Sequence, residues 1–133
     1  MPEGPEVTIV AEGLDEILQG KYITSFEVTD TGRYRKKSPD NSIPFGESLP
    51  LLVEKVENKG KLIYFTFSSK KDKLYMINTL GMSGVWKKKK EKHTCFFLEY
   101  TSSLEEERRE KIYFVDQRHF GTIKFLTTKQ DLE

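Results

Sequence analysis

Val7, Val10, Leu14, Ile17 and Leu18 recur at spacings of three, four, three and one. This is one apolar stripe on a 3.6-residue period, and it predicts a helix over residues 5–19. Pro5 suits a first helical turn, Glu6 the positive end of the dipole and Gly20 a stop. Ile9 falls off the stripe, and Gly13 costs roughly 1 kcal/mol relative to Ala inside a helix. After Lys21 the pattern switches to short runs rich in β-branched and aromatic residues. Strands are predicted over 22–29, 51–56, 61–67, 74–80, 95–100, 111–115 and 122–126, with a brief one at Val85-Trp86. Residues 30–50 contain Gly32, Pro39, Asn41, Pro44, Gly46 and Pro50. They predict a long loop, with a short strand near Arg33-Tyr34-Arg35. One helix followed by about eight strands predicts a mostly β fold: a two-layer β-sandwich or flattened barrel with an N-terminal α-helix.

A chain of 133 residues with 36% hydrophobic and 32% charged residues is one domain's worth of sequence with a soluble balance. No repeat or internal boundary divides it. No apolar run approaches the ~20 residues of a membrane span, and the acidic start lacks a secretory h-region. A lone cysteine, Cys95, excludes an intramolecular disulfide and any zinc site built on two or more cysteines. With two histidines, metal catalysis is a poor candidate. The expectation is an intracellular monomer that needs no cofactor and no membrane.

The net charge of +1 is small for a nucleic-acid binder, but the charge is segregated. Arg33, Arg35, Lys36 and Lys37 form one basic cluster, and Lys87–Lys90 with Lys92 form another. Glu105–Glu107 and Glu110 form an acidic one. The lysine run reads first as a solvated hairpin tip and second as a phosphate-steering element. His93 reads as a surface residue at a strand start and Cys95 as inert core. Trp86 and the tyrosines read as packing residues.

Pro2 is the most reactive candidate. Initiator methionine is commonly removed before small residues, and removal would leave Pro2 a free secondary amine. An α-amino group titrates near 7.7–8.0, so a useful fraction is neutral and nucleophilic at physiological pH. Its attack on a sugar C1′ gives an iminium, from which eliminations are easy. Glu3 is adjacent for general acid–base work. Read by composition alone, Pro2-Glu3-Gly4-Pro5-Glu6 is a rigid lead-in to the helix, and Lys61 is a solvated lysine at a strand start.

Four short blocks change the weighting. The opening Met1–Val7 resembles that of the Fpg/Nei (formamidopyrimidine-DNA glycosylase and endonuclease VIII) family. Lys59-Gly60-Lys61-Leu62 resembles the family's lysine-bearing hairpin, and Leu80-Gly81-Met82-Ser83-Gly84 its LGMSG turn. Asp116–Gly121 resembles its D-x-R-x-F-G block. The blocks fall in the family's order, and together they span its N-terminal catalytic domain, residues 1–133. The resemblance implies a helix plus a two-layer β-sandwich. It also implies damaged double-stranded DNA as partner, and base excision followed by β,δ-elimination.

By the same resemblance, Pro2 is the nucleophile and Glu3 the acid that protonates the sugar ring oxygen. Glu6 supports the site, and Lys61 contacts phosphate. Met82, Arg118 and Phe120 match the void-filling residues; flipping a base leaves a hole and an orphaned partner, which an apolar wedge and an arginine fork can occupy. Read alone, Met82 and Phe120 are equally well core residues, and Arg118 a surface ion pair. His119, Arg33 and Arg35 are candidate phosphate contacts.

Thr79 stands where many relatives carry a phosphate-contacting histidine, and His119 where many carry a second arginine. Glu3-Gly4-Pro5 is endonuclease VIII in style, whereas the Met-Arg-Phe set is closer to Fpg; oxidised pyrimidines are slightly favoured over 8-oxoguanine. The family's helix–two-turns–helix and finger domains, with any finger zinc, would lie in a C-terminal part beyond this sequence. The rival expectation is a truncated, weakly active or inactive module that binds DNA or protein. A purely structural sandwich is the third, and the four ordered blocks speak against it.

Overall fold

The predicted stripe forms α1 (Gly4–Leu18). Its buried residues are Val7, Ala11, Leu14 and Leu18, a spacing of four, three and four that keeps one face inward. Val10 and Ile17 flank that seam, partly buried, and Ile9 is 70% exposed. The computed structural model describes residues 4–29, 34, 36–69, 73–119 and 121–126.

Eight strands follow: β1 (Tyr22–Val28), β2 (Leu51–Lys59), β3 (Leu62–Ser68), β4 (Lys73–Thr79), β5 (Val85–Lys87), β6 (Thr94–Thr101), β7 (Glu110–Val115) and β8 (Thr122–Leu126). All neighbours pair antiparallel, in the order β5-β7-β6-β1-β2-β3-β4-β8. The join between β1 and β2 is short, with only Tyr22↔Leu52 and Ile23↔Leu51 in register. Just beyond it each strand carries a register shift, between Ile23 and Ser25 and between Val53 and Lys55. Bulges bend strands, and here the sheet folds over at the join into two layers.

Cross-layer contacts close the sandwich. Phe26 of β1 meets Phe125 of β8 at 5.1 Å between ring centroids, and Trp86 of β5 meets Phe65 of β3 at 5.7 Å. Trp86 also packs on Phe96 and Phe114, and its indole Nε1 donates to Asn78 Oδ1 at 3.0 Å. That bond gives the fully buried Asn78 side chain a partner for its carbonyl. α1 docks on β2, where the Val56 amide donates to Asp15 Oδ1 at 2.8 Å and the Gly20 amide to the Val53 carbonyl at 2.9 Å.

Three expectations are corrected. The loop predicted over 30–50 contains a second short helix, α2 (Ser42–Ser48). Pro44 falls in its first turn, where a missing N–H costs little. The buried Phe45 anchors the helix by stacking on Phe125 at 4.2 Å. Tyr34 sits in a turn rather than a strand, and its neighbours Arg33 and Arg35 lie outside the described residues. The lysine run, in turn, is no hairpin tip. β5 pairs with β7 and not with β6, so residues 88–93 form a crossover between two strands that flank β7. Sequence adjacency suggested a β5–β6 hairpin, but tertiary pairing prevails.

Candidate active site and nucleic-acid interface

Register brings the sequence blocks to one end of the sandwich. Asn58 of β2 opposes Ile63 of β3, and Ile63 opposes Asn78 of β4. The Lys59–Leu62 turn therefore lies at the same end as the turn after β4. Thr79 opposes Thr122 of β8, and Val85 opposes Val115 of β7. The Leu80–Gly84 turn and the 116–121 segment consequently emerge together at that end. The α1 N-terminus joins them through one side chain: Asn58 Nδ2 donates to Thr8 Oγ1 and to the Gly60 carbonyl, both at 3.0 Å. Thr8 Oγ1 in turn donates to the Gly4 carbonyl at 3.0 Å. Asn58 thus ties the Lys61 turn to the first turn of α1, directly after Pro2 and Glu3 in the chain.

The Lys61 turn is a tight reversal, with Gly60 at φ +59° in the left-handed region that glycine tolerates best. Lys61 is exposed there, and Glu6 is exposed on the first turn of α1. Pro2, Glu3 and Phe120 lie outside the described residues, as do Arg33 and Arg35.

Met82 and Arg118 sit on two turns clamped by a buried carboxylate. Asp116 is 1% exposed. Its Oδ1 accepts from Ser83 Oγ at 2.6 Å and from the Arg118 amide at 3.3 Å, and its Oδ2 accepts from the Gly121 amide at 2.7 Å. Ser83 Oγ also accepts from the Arg118 amide at 3.1 Å. One carboxylate therefore fixes the relative position of both turns. Met82 remains 47% exposed, an apolar side chain held out on a rigid turn, and Arg118 is exposed beside it.

Two glycines permit this packing. A Cβ on Gly84 would lie 2.4 Å from the Leu80 carbonyl oxygen and 2.6 Å from Phe114 Cζ. One on Gly121 would lie 2.6 Å from Phe114 Cζ and 2.8 Å from the Thr79 carbonyl oxygen. Thr79 turns its hydroxyl to Thr122 Oγ1 at 2.6 Å and accepts from the Thr122 amide at 3.0 Å. It serves as a β4–β8 brace.

His119 is half-buried at φ +59°, with its Nδ1 3.8 Å from Cys95 Sγ and its ring 6.4 Å from that of His93. Burial, reinforced by the Asp116 charge, pushes the Cys95 thiol up to about 11, so it stays protonated and unreactive at neutral pH. Among the described residues no group of three or more His, Cys, Asp or Glu side chains could hold a metal ion, and no helix is long and apolar enough to cross a membrane.

Sequence reasoning missed the connecting residues Asn58 and Ser83 and gave Asp116 no role. A signal for Asp116 was present: an acid directly after the apolar run Ile112–Val115, with Gly121 five residues on. Nothing in the sequence marked Asn58, because its partners are 50 residues away and two residues away, across a fold that must already exist.

Residues 1–123 match the family described as the formamidopyrimidine-DNA glycosylase N-terminal domain. A formamidopyrimidine-DNA glycosylase of Exiguobacterium sibiricum is 32% identical over 130 residues, covering 93% of this chain and 42% of the relative. One of Ligilactobacillus salivarius is 30% identical, covering all of this chain and 46% of the relative. The chain thus spans somewhat less than half the length of these relatives. Among solved structures, MutM in complex with DNA containing carbocyclic 8-oxo-G superposes with a TM-score of 0.78 at 24% identity, over 98% of this chain and 46% of the other. Lactococcus lactis Fpg bound to DNA containing an oxidised pyrimidine gives the same TM-score, identity and coverage. These likenesses support the fold, and the match over 1–123 carries the conclusion that the chain belongs to the formamidopyrimidine-DNA glycosylase N-terminal domain family.

Proposed function

We propose that the chain is the catalytic part of a bifunctional DNA glycosylase/AP lyase that removes oxidised bases from duplex DNA. The observation that carries this reading is the convergence of the α1 N-terminus, the Lys61 turn and the clamped Met82 and Arg118 turns on one end of the sandwich. Residues separated by more than one hundred positions are gathered where a duplex could meet them all.

The chemistry follows from the residue types. With Met1 removed, the Pro2 nitrogen attacks C1′ of the damaged nucleotide; the N–C1′ bond forms, and the base leaves with the glycosidic electron pair and a proton. Glu3 protonates the ring oxygen as the sugar opens to the iminium. Loss of a C2′ proton then expels the 3′ phosphate, and a second elimination expels the 5′ phosphate. Hydrolysis of the imine frees Pro2. Lys61 supplies positive charge at the phosphate beside the lesion, and Glu6 supports the N-terminal segment. Met82 and Phe120 fill the vacated stack while Arg118 meets the orphaned base.

Related proteins have been captured with DNA bearing an 8-oxo-G analogue and with DNA bearing an oxidised pyrimidine. We favour pyrimidine lesions for this chain on the Glu3-Gly4-Pro5 opening. A further C-terminal domain would supply much of the DNA grip. The test is borohydride trapping on a duplex with one abasic site, using chain verified by mass to begin at Pro2, both alone and joined to the C-terminal half of a relative. A covalent complex is expected with at least the joined protein. Absence of trapping from both overturns the lyase reading.

A further inference from the structure

The lysine run concentrates positive charge on an exposed segment, and the roles above leave it unused. Lys87–Lys90 and Lys92 are all exposed, with only Glu91 among them, a surplus of four positive charges in a chain of net +1. Among the described residues none of these five lysines forms an ion pair. Like charges this close repel one another.

The crossover places part of this charge. Val85 and Thr94 both oppose Val115, so β5 and β6 begin at the same level of β7. Residues 88–93 must therefore return from the level of Tyr113 to that of Val115, which is the end where Met82 and Arg118 emerge. The returning end is pinned. The Glu91 amide donates to Thr94 Oγ1 at 2.8 Å, the Thr94 amide donates to the Glu91 carbonyl at 3.1 Å, and the Asp116 amide donates to the His93 carbonyl at 3.0 Å. Asp116 is the same residue that clamps the Ser83 and Arg118 turns. Lys92 and His93 are thus held against the 116–119 turn, with the His93 ring 6.4 Å from that of His119. Lys87 and Lys88 lie at the other end, lining a groove of about 220 Å³ beside Ile9, Val10 and Gly13 of α1.

We propose that Lys90, Lys92, His93 and His119 form a ridge that binds the phosphate backbone of the duplex flanking the lesion, extending the contact surface beyond the Met82 and Arg118 turns. The inference rests on the reading that this end of the sandwich faces DNA. A pinned ridge engages phosphates at a lower ordering cost than a free lysine tail. Each phosphate it neutralises releases condensed counterions and steepens the salt dependence of binding by about 0.9 in the log–log slope.

The experiment is fluorescence anisotropy with an undamaged duplex of about two helical turns across a salt series, comparing the full chain with two double variants of equal charge change. Lys90→Gln with Lys92→Gln is expected to make the slope shallower by about 1.8, for two lost contacts. Lys87→Gln with Lys88→Gln is expected to leave it within one contact's worth of the parent. Equal losses from both pairs, or no loss from the first, overturn the ridge. Borohydride trapping at saturating protein is scored separately on the same variants. Loss of trapping in the parent with the slope difference intact would sink the catalytic reading and leave the ridge standing.

Discussion

Replacing Asp116 tests whether the two exposed turns are held by one carboxylate. Asp116→Asn keeps the volume but exchanges one acceptor oxygen for an NH₂ donor. Whichever way the amide turns, it faces either the Gly121 amide, now 2.7 Å from Oδ2, or the Ser83 hydroxyl and Arg118 amide around Oδ1. Hydrogen bonds to a charged group contribute about 1.5–3 kcal/mol each, and an orphaned buried donor costs about 1–3 kcal/mol. Gly121 is buried and its amide has no route to water, whereas Ser83 is half-buried and can turn outward. One strong bond lost in full and one in part gives about 3 kcal/mol of destabilisation, a large share of the ~5–15 kcal/mol that holds a domain of this size. Urea unfolding followed by Trp86 fluorescence reads it directly, because Trp86 packs on Phe114, two residues before Asp116. Ser83→Ala should cost about 1 kcal/mol, and the double variant should show a coupling energy of at least about 0.5 kcal/mol. A loss below about 1 kcal/mol for Asp116→Asn, or strict additivity with Ser83→Ala, would refute the clamp.

Three other outcomes follow from the same geometry. Native Cys95 should resist iodoacetamide at pH 8 and react at once in denaturant; since its thiol is raised to about 11, the unfolded chain alone ionises it above pH 9, so stability should sit on a plateau below pH 9 and fall as pH rises through 9–11. Gly13→Ala should stabilise by roughly 0.5–1 kcal/mol, because a Cβ there meets nothing within 4 Å, whereas Gly121→Ala should destabilise by several kcal/mol against the Phe114 ring and the Thr79 carbonyl; thermal melts that rank the two alike would contradict the packing. Asn58→Ala should lower trapping yield on an abasic duplex while leaving affinity for undamaged duplex within about twofold, since it frees the Lys61 turn from α1 without touching the Met82 and Arg118 turns; equal losses in both assays would show only general destabilisation.

The strands with period-two or continuous apolar patterns were legible because burial wrote them. Ile63, Phe65 and Phe67 point into the core from β3, and Ile112 and Phe114 do so from β7. The α1 stripe was legible for the same reason, except that Ala11 contributes to the buried face while Val10 stays partly exposed. α2 was hidden by Pro44 and Gly46, which read as loop residues until Phe45 finds its place on Phe125. The crossover after β5 was hidden because a three-residue edge strand carries no mark of its partner. At the site, motif residues could be named from sequence, but the hydrogen bonds that assemble them join positions such as Thr8 with Asn58 and Ser83 with Asp116. Polar contacts of that range leave no periodic trace.

In the proposed reaction the amine of Pro2 is the nucleophile. The most direct measurement is to reduce the trapped complex on an abasic duplex with borohydride, digest the protein and locate the sugar adduct by mass spectrometry. The adduct is expected on the N-terminal peptide, at the Pro2 nitrogen, with no trapping by a chain carrying one additional N-terminal residue. An adduct on Lys61 or any other lysine, or undiminished trapping by the extended chain, would contradict it.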